Sequence, residues 1–422
     1  MSATAIELRH SDSNNNPAIQ GYMNGTKRMA NMSNVTDAVR DFQRIGIEIR
    51  FDEFRDEIML SNTNSGQWRP FKDEDYTRLR IKLEDGGFNT VGRELIRDSV
   101  LLVAKENVFD SAITWLNEVV PAWDSKPRID SFLQRYFGAP DTPYVRAASE
   151  YLWSALVGRI LFPGIKADMV IVLVGEQGTG KSTGVAAICP NIDFFTEISF
   201  NEKDDDLSRK MRGHLVGEIG ELRGLHTKEV ESIKAFVTRT HEKWIPKYKE
   251  FTASYARRIV FIGTTNEAKF LADSTGNRRW LPIAVGTVDV VGIRNDCMQL
   301  WAEARDTYSG VKYAEVESLL SKVHDDHTIM EPWVDIVEAW LQGTCQPQGM
   351  RMVNGYREVV TTSEILKDAL GLQPDAMNRK NEMRAAITLK QIGYIGGTER
   401  INGQRKNVYR YMGTVSSDDT EY

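Results

Sequence analysis

The sequence predicts an α/β fold: a nucleotide-binding core between an N-terminal α+β and helical region and a small winged-helix-like C-terminal domain. Three observations predict the core. Met169 to Val174 is an unbroken apolar, β-branched run of the length of a buried parallel strand. It leads into Gly175-Glu176-Gln177-Gly178-Thr179-Gly180-Lys181-Ser182, which meets the phosphate-loop pattern G-x-x-x-x-G-K-[ST] at every fixed position, and small helix-compatible residues follow to Cys189. Beyond that point strand-like and helix-like segments alternate.

The chemistry of the loop follows from its residue types. Glycines let the backbone bend so that successive N–H groups face phosphates, Lys181 reaches the β and γ phosphates, and Ser182 holds Mg²⁺. Residues Gly175 to Thr183 are therefore the expected cofactor-binding segment, with a nucleoside triphosphate and Mg²⁺ as the ligands.

Composition bounds the surroundings. A chain of 422 residues exceeds one ordinary core. Its 53 basic and 59 acidic residues leave a mildly acidic balance, so any nucleic-acid contact must come from a local basic cluster. The cysteines at 189, 297 and 345 are widely spaced and form neither a metal pattern nor a disulfide framework, which points to a reducing compartment. No apolar run approaches the ~18 residues of a membrane span, and the N-terminus lacks the layout of a signal peptide. A cytoplasmic protein without membrane partners is expected.

Taken in order, residues 1–35 are rich in Asn, Ser, Gly and Met and are expected to be a disordered tail. Residues 36–120 read as α+β. Val35, Val39, Phe42 and Ile45 step at helical spacing up to Gly46, and a hairpin of Ile47 to Phe54 with Glu57 to Leu60 follows. Asp52 and Glu53 read as a charged hairpin end rather than metal ligands, since no second acidic motif accompanies them. Amphipathic helices are expected over 73–86 and 92–106. Residues 121–165 form a helical connector that opens at Pro121 to Pro127 and carries helices over 129–136 and 144–161.

The core is assigned to 166–310. The apolar segment His214 to Ile219 ends in Glu218-Ile219-Gly220-Glu221, so two carboxylates stand near the carboxyl end of a strand, where nucleotide chemistry sits. One can hold Mg²⁺ and the other orient the attacking water. Glu221 is favoured as the catalytic acid and Glu218 as the metal-side acid, with the roles left interchangeable. In the segment Arg239 to Arg258, Arg239, Lys243, Lys247, Lys249, Arg257 and Arg258 interleave with Trp244, Tyr248 and Tyr255, and Pro246 breaks any helix. Cations with aromatic faces suit a single strand. Composition alone fits a solvated hairpin equally well. Position favours the strand reading, because the segment leads directly into Ile259 to Gly263 and on to Asn266, whose amide can orient water at the γ phosphate.

These residues resemble the virulence-associated protein E family of P-loop ATPases, related to superfamily three helicases and poxvirus-type primase-helicases of the AAA+ class. The resemblance is carried by GEQGTGKST (175–183), EIGEL (218–222), KEVESIKAFVTR (228–239), FIGTTN (261–266) and STGNRRWLP (274–282), and more weakly by 51–60 and 123–133. It implies that the nucleotide is ATP, that Asn266 is sensor 1 and that the 239–258 hairpin grips DNA inside a ring channel. It further implies that Arg278 and Arg279 supply an arginine finger to the next subunit of a homo-oligomer, a hexameric ring by resemblance. Many relatives carry a primase domain ahead of this module. No convincing metal triad precedes the loop here, so priming is not expected of this chain and a separate primase or polymerase is the implied partner.

Residues 311–345 read as a helical lid, with helices over 316–324 and 333–341. His324 and His327 read as a polar helix end, because no further ligands cluster near them. Residues 346–415 form the C-terminal domain: a capped helix from Thr361, a second helix over 378–392, and a hairpin turning at Asn402-Gly403. Two helices followed by a basic hairpin resemble a winged helix, with Arg379, Lys380, Arg384, Arg400, Arg405 and Lys406 as candidate contacts to duplex origin DNA. Residues 416–422 are an acidic tail. Two functions fit this reading: an ATP-driven helicase or translocase serving a phage or integrated mobile element, or a regulatory ATPase that assembles on DNA or protein without unwinding.

Overall fold

The structure, a computed structural model, describes residues 23–24, 27–62, 66–200, 202–220, 228–244, 252–268, 277–327, 333–343, 352–401 and 404–412. The expected tail lies largely outside them. The chain divides into two compact units, Met1–Phe270 with Thr275–His327, and Leu271–Ser274 with Thr328–Tyr422.

The first unit opens with α1 (Met32–Arg40), capped by the Asn31 side chain. The strands β1 (Ile47–Asp52), β2 (Glu57–Asn62) and β3 (Trp68–Pro70) follow, then α2 (Asp73–Asp85), α3 (Arg93–Glu106) and β4 (Val108–Phe109). The sheet order is β3-β2-β1-β4. Ile47, Ile49 and Phe51 alternate into a core with Val35, Val39, Leu79, Leu83, Ile96 and Val100. The single helix expected to reach Ile45 is interrupted: Asp41 leaves helical geometry, a separate turn spans Phe42–Ile45, and Phe42 is exposed. One non-helical residue rotates the following side chains out of register with the core face. Asp52 is fully buried and its Oδ1 accepts the amides of Phe54 and Ser111, so it pins a loop.

Helices α4 (Phe132–Phe137) and α5 (Pro143–Leu161) come next. Helix α5 is apolar on all sides and almost wholly buried, as a helix in the middle of a core must be. It packs beside five strands: β5 (Val170–Val174), β6 (Phe195–Ile198), β7 (Val216–Ile219), β10 (Val260–Thr265) and β11 (Trp280–Ala284). Between them run α6 (Lys181–Ala187), α7 (Lys228–Val237) and the hairpin β8 (His241–Trp244) with β9 (Ala253–Ala256). The five strands are parallel in the order β11-β5-β10-β7-β6. Numbered from the loop strand, that is 5-1-4-3-2, so β10 stands between the strand of the glycine loop and the strand of Glu218. Helix α8 (Val290–Asp306) adds Ile293, Leu300 and Trp301 to the same core.

The segment expected to be a lid divides instead. In α9 (Ala314–His327), Val316 and Leu320 belong to the large core. In α10 (Val334–Gln342), Val334, Val337 and Leu341 belong to the second unit. Each helix has an apolar stripe, and each stripe is buried in a different core.

The second unit packs α10 with α11 (Arg379–Ile392) and a sheet of β12 (Val359–Val360), β13 (Tyr394–Ile401) and β14 (Gln404–Tyr411) in the order β12-β14-β13. Thr361 and Glu364 form a reciprocal capping box ahead of Ile365 and Leu366, both fully buried. The β13–β14 register runs from Tyr394↔Tyr411 to Ile401↔Gln404. Its linking residues 402–403 lie outside the described residues.

Candidate functional site

At the carboxyl end of β5 the chain turns through Gly178 (φ 83°) and Gly180 (φ 89°), a left-handed backbone that side chains rarely adopt, and enters α6 at Lys181. Gly175 admits no side chain for another reason: a Cβ there stands 2.8 Å from the Val285 carbonyl oxygen. The Thr179 carbonyl accepts the Val288 amide, which ties the loop to the segment after β11. The result is an open cavity of about 360 Å³ lined by residues 177–183 together with Thr264, Thr265 and Asn266. It lies where the strand order reverses, the usual ligand position in such sheets.

Side chains from three elements meet at or beside this cavity. The Lys181 ammonium donates to the carbonyls of Gly175 (2.8 Å) and Glu176 (2.7 Å) and to Asn266 Oδ1 (3.0 Å). Burial holds that ammonium below the ordinary lysine range, and the nearby Glu218 carboxylate pulls it partly back. Ser182 Oγ donates to Glu218 Oε1 at 2.6 Å, and Thr264 Oγ1 donates to the same oxygen at 2.7 Å. Glu218 is 3% exposed on β7. A hydroxyl and a carboxylate side by side are an all-oxygen donor pair, the set Mg²⁺ takes when it is held by one or two protein groups and phosphates. The fit to Mg²⁺ is therefore good, although no group of three or more His, Cys, Asp or Glu converges among the described residues.

Glu221 lies outside the described residues, whereas a carboxylate the sequence reading passed over lies inside them. Glu197 on β6 is the register partner of Glu218, so both stand on one face of the sheet, with Glu197 exposed. Thr264 was passed over as well. Its signal was available, since it sits on β10 two residues before Asn266.

Arg278 and Arg279 precede β11 at the amino end of the sheet. Arg278 is exposed, 3.8 Å from Glu317, and Arg279 is 3.9 Å from Asp168. The five residues of β11 separate the pair from the loop end of the sheet by roughly 16 Å.

The hairpin reading is corrected in part. Along β8 and β9, Lys243 and Ser254 face outward while Glu242 and Tyr255 face inward. Arg257 is 1% exposed and paired with the equally buried Glu242, and Arg258 is paired with Asp110. The Tyr255 hydroxyl donates to the Phe54 carbonyl, and Arg239 pairs with Asp204. Arg257, Arg258 and Tyr255 are thus core residues: the period of two along β9 turns Tyr255 inward, while Arg257 and Arg258 follow the strand and are held in the interior by Glu242 and Asp110. Lys247, Tyr248 and Lys249 lie outside the described residues, as does the side chain of Trp244.

In the second unit, Arg379 and Lys380 are exposed at the start of α11. Arg384 lies 3.9 Å over the Trp333 ring, so it packs rather than projects. Arg405 pairs in register with Arg400, and its side chain lies outside the described residues.

Fold and site together define a mixed α/β protein with a glycine-rich phosphate-type loop at the carboxyl end of a parallel sheet. A family model described as the virulence-associated protein E-like domain matches residues 116–329, just over half of the sequence, and the chain belongs to that family. Among solved structures, the apo NrS-1 C-terminal region (305–718) shares 12% identity at a TM-score of 0.51, covering 89% of this chain and 99% of that one. Its A form gives 12% identity and a TM-score of 0.50 over the same shares. These likenesses show a shared fold. The SCCmec type IV Cch active helicase, 13% identical over 82% of this chain and 75% of its own, gives a TM-score of 0.29, too low to compare folds. No curated protein matches the sequence. Among the described residues, no helix is long and apolar enough to cross a membrane.

Proposed function

We propose that this chain is an ATP-dependent DNA helicase or translocase of the AAA+ class, acting as a homo-oligomeric ring on single-stranded DNA in the replication of a phage or mobile element. The observation that carries this is the convergence of Lys181, Ser182 and Asn266 on one cavity, with Glu218 of a third element bonded to Ser182. A glycine turn that binds nothing needs no such convergence. Family membership supports the same direction.

In the reading, Lys181 exchanges its two loop carbonyls for β and γ phosphate oxygens, a stronger charge-assisted contact. Ser182 and Glu218 hold Mg²⁺, which when bound neutralises charge between the phosphates. Asn266, released from Lys181, orients the attacking water, and a second acid accepts its proton. Glu221 is the assigned acid, and Glu197 is the alternative that stands beside Glu218. Arg278 and Arg279 lie too far along the sheet to serve their own loop and act on the neighbouring subunit's nucleotide. Lys243, Trp244, Lys247, Tyr248 and Lys249 grip the strand, and the second unit works as a winged helix on duplex origin DNA through Arg379, Lys380 and Arg405. A separate primase or polymerase supplies synthesis, and the setting is the cytoplasm of a bacterial or phage-infected cell.

The test is ATP turnover with and without single-stranded DNA, run beside the mass of the assembly and unwinding of a forked duplex. Strand-stimulated hydrolysis with unwinding is expected. Stimulated hydrolysis without unwinding favours the regulatory ATPase, and no hydrolysis by an assembled protein overturns both readings.

A further inference from the structure

We propose that Thr264 is a positioning residue for Glu218, setting how tightly the site takes its divalent cation. The inference rests on the Mg²⁺–nucleotide reading of the loop and goes beyond it in assigning a residue outside the phosphate loop and the acidic motif.

The geometry is specific. Thr264 is 5% exposed on β10, and Glu218 is 3% exposed on the adjacent β7. In the parallel register Ile262 stands opposite Glu218, which puts Thr264 two residues on and on the same face. Its hydroxyl reaches Glu218 Oε1 at 2.7 Å, and Ser182 Oγ reaches that oxygen at 2.6 Å. A β-branched side chain has few χ1 choices, so the strand backbone itself fixes where this hydroxyl sits. Glu218 has more rotatable bonds and needs an external hold to keep one orientation.

Thr264 supplies that hold from β10, the strand between Glu218 and the loop strand. With its donor in place, the carboxylate stays beside Ser182, and the two oxygens are presented to a cation as a ready pair. Without it, Glu218 keeps one hydroxyl donor, and that donor is the group the cation itself engages. Partners standing behind a metal-holding group commonly change metal affinity by about 10–100-fold when removed.

The experiment uses the full chain with a non-hydrolysable fluorescent ATP analogue, titrated with Mg²⁺, and Mn²⁺ binding followed by electron paramagnetic resonance. Thr264→Val keeps the shape and removes the donor, whereas Thr264→Ser keeps the donor. Thr264→Val is expected to raise the half-saturating Mg²⁺ concentration about 10–100-fold and to leave analogue binding without Mg²⁺ unchanged, with Thr264→Ser close to wild type. A merely structural role moves both binding modes together and is not rescued by serine. If Thr264→Val does not fold, Thr264→Ala and Thr264→Ser replace the comparison, and equal Mg²⁺ requirements in those two overturn the proposal. Wild-type Mg²⁺ dependence in Thr264→Val overturns it directly, while failure of the wild-type chain to bind the analogue at all overturns the nucleotide reading instead.

Discussion

Lys181 and Arg257 are both buried cations, yet their surroundings give them opposite functions. Lys181 ends in an open cavity, where its partners are two carbonyls and an amide oxygen that phosphate oxygens can replace. Lys181→Ala is therefore expected to abolish ATP hydrolysis with the melting temperature little changed, as checked by phosphate release and a thermal melt. Glu221→Gln and Glu197→Gln, assayed in parallel, identify the water-orienting acid: the true one keeps nucleotide binding and loses turnover. If neither slows turnover and Glu218→Gln does, Glu218 fills both roles. Arg257 is 1% exposed. It is locked to Glu242, and burial lowers its own tendency to hold a proton while that carboxylate opposes the shift. Removing one member of a buried pair leaves the other charge uncompensated. Glu242→Gln should destabilise the first unit by about 3 kcal/mol, read as a melting temperature lowered by on the order of 6–12 °C.

At the scale of elements, the β8–β9 hairpin has two faces with separate tasks. The inward face, Glu242 with Tyr255, anchors it, and the outward face offers Lys243. Salt dependence of single-strand binding separates the two. Lys243→Ala should make the log–log slope shallower by up to about 0.7, and the Lys247→Ala, Lys249→Ala double variant by up to about 1.4, without loss of stability. Arg257→Ala should lower stability instead. Wild-type slopes and unwinding in the lysine variants exclude this hairpin as the gripping element. Helix α11 shows the same division. Arg379 and Lys380 are free to meet a duplex, so replacing either should lower the duplex slope by about 0.9. Arg384→Ala removes a cation stacked on Trp333, and its first effect should be on the stability of the second unit.

At the scale of the whole molecule, the parallel sheet separates the two halves of the proposed catalytic site. The loop, Glu218 and Asn266 stand at one end of the strands, and Arg278 and Arg279 at the other. On the proposed trans-arginine reading, two copies are needed to bring an arginine to a phosphate, and hydrolysis then depends on assembly. Mixing Lys181→Ala with Arg279→Ala, and separately with Arg278→Ala, is expected to restore part of the ATPase activity for the arginine that acts in trans. One of the two kinds of mixed interface then pairs an intact loop with an intact arginine. If neither mixture recovers activity while both proteins are folded and oligomeric, the trans arginine is excluded.

What the sequence determined by itself is the local part of this protein. The loop is legible because strand, turn and helix are contiguous, so the chemistry is written in eight neighbouring residues from Gly175 to Ser182. The capping box at Thr361 and Glu364 and the register of the C-terminal hairpin are local for the same reason. Tertiary structure alone decided the rest. Which carboxylate meets Ser182 depends on strand order, because β10 had to insert beside β7 before Glu218 and Thr264 could share an oxygen. Glu197 has no signal in its own neighbourhood and gains significance only from its register with Glu218. A stretch of lysines, arginines and tyrosines has the same composition whether it grips a strand or closes a core, and burial against Phe54, Glu242 and Asp110 settled that for Tyr255, Arg257 and Arg258. Burial and strand pairing are relations between residues far apart in the chain, and local periodicity carries no record of which distant partner completes them.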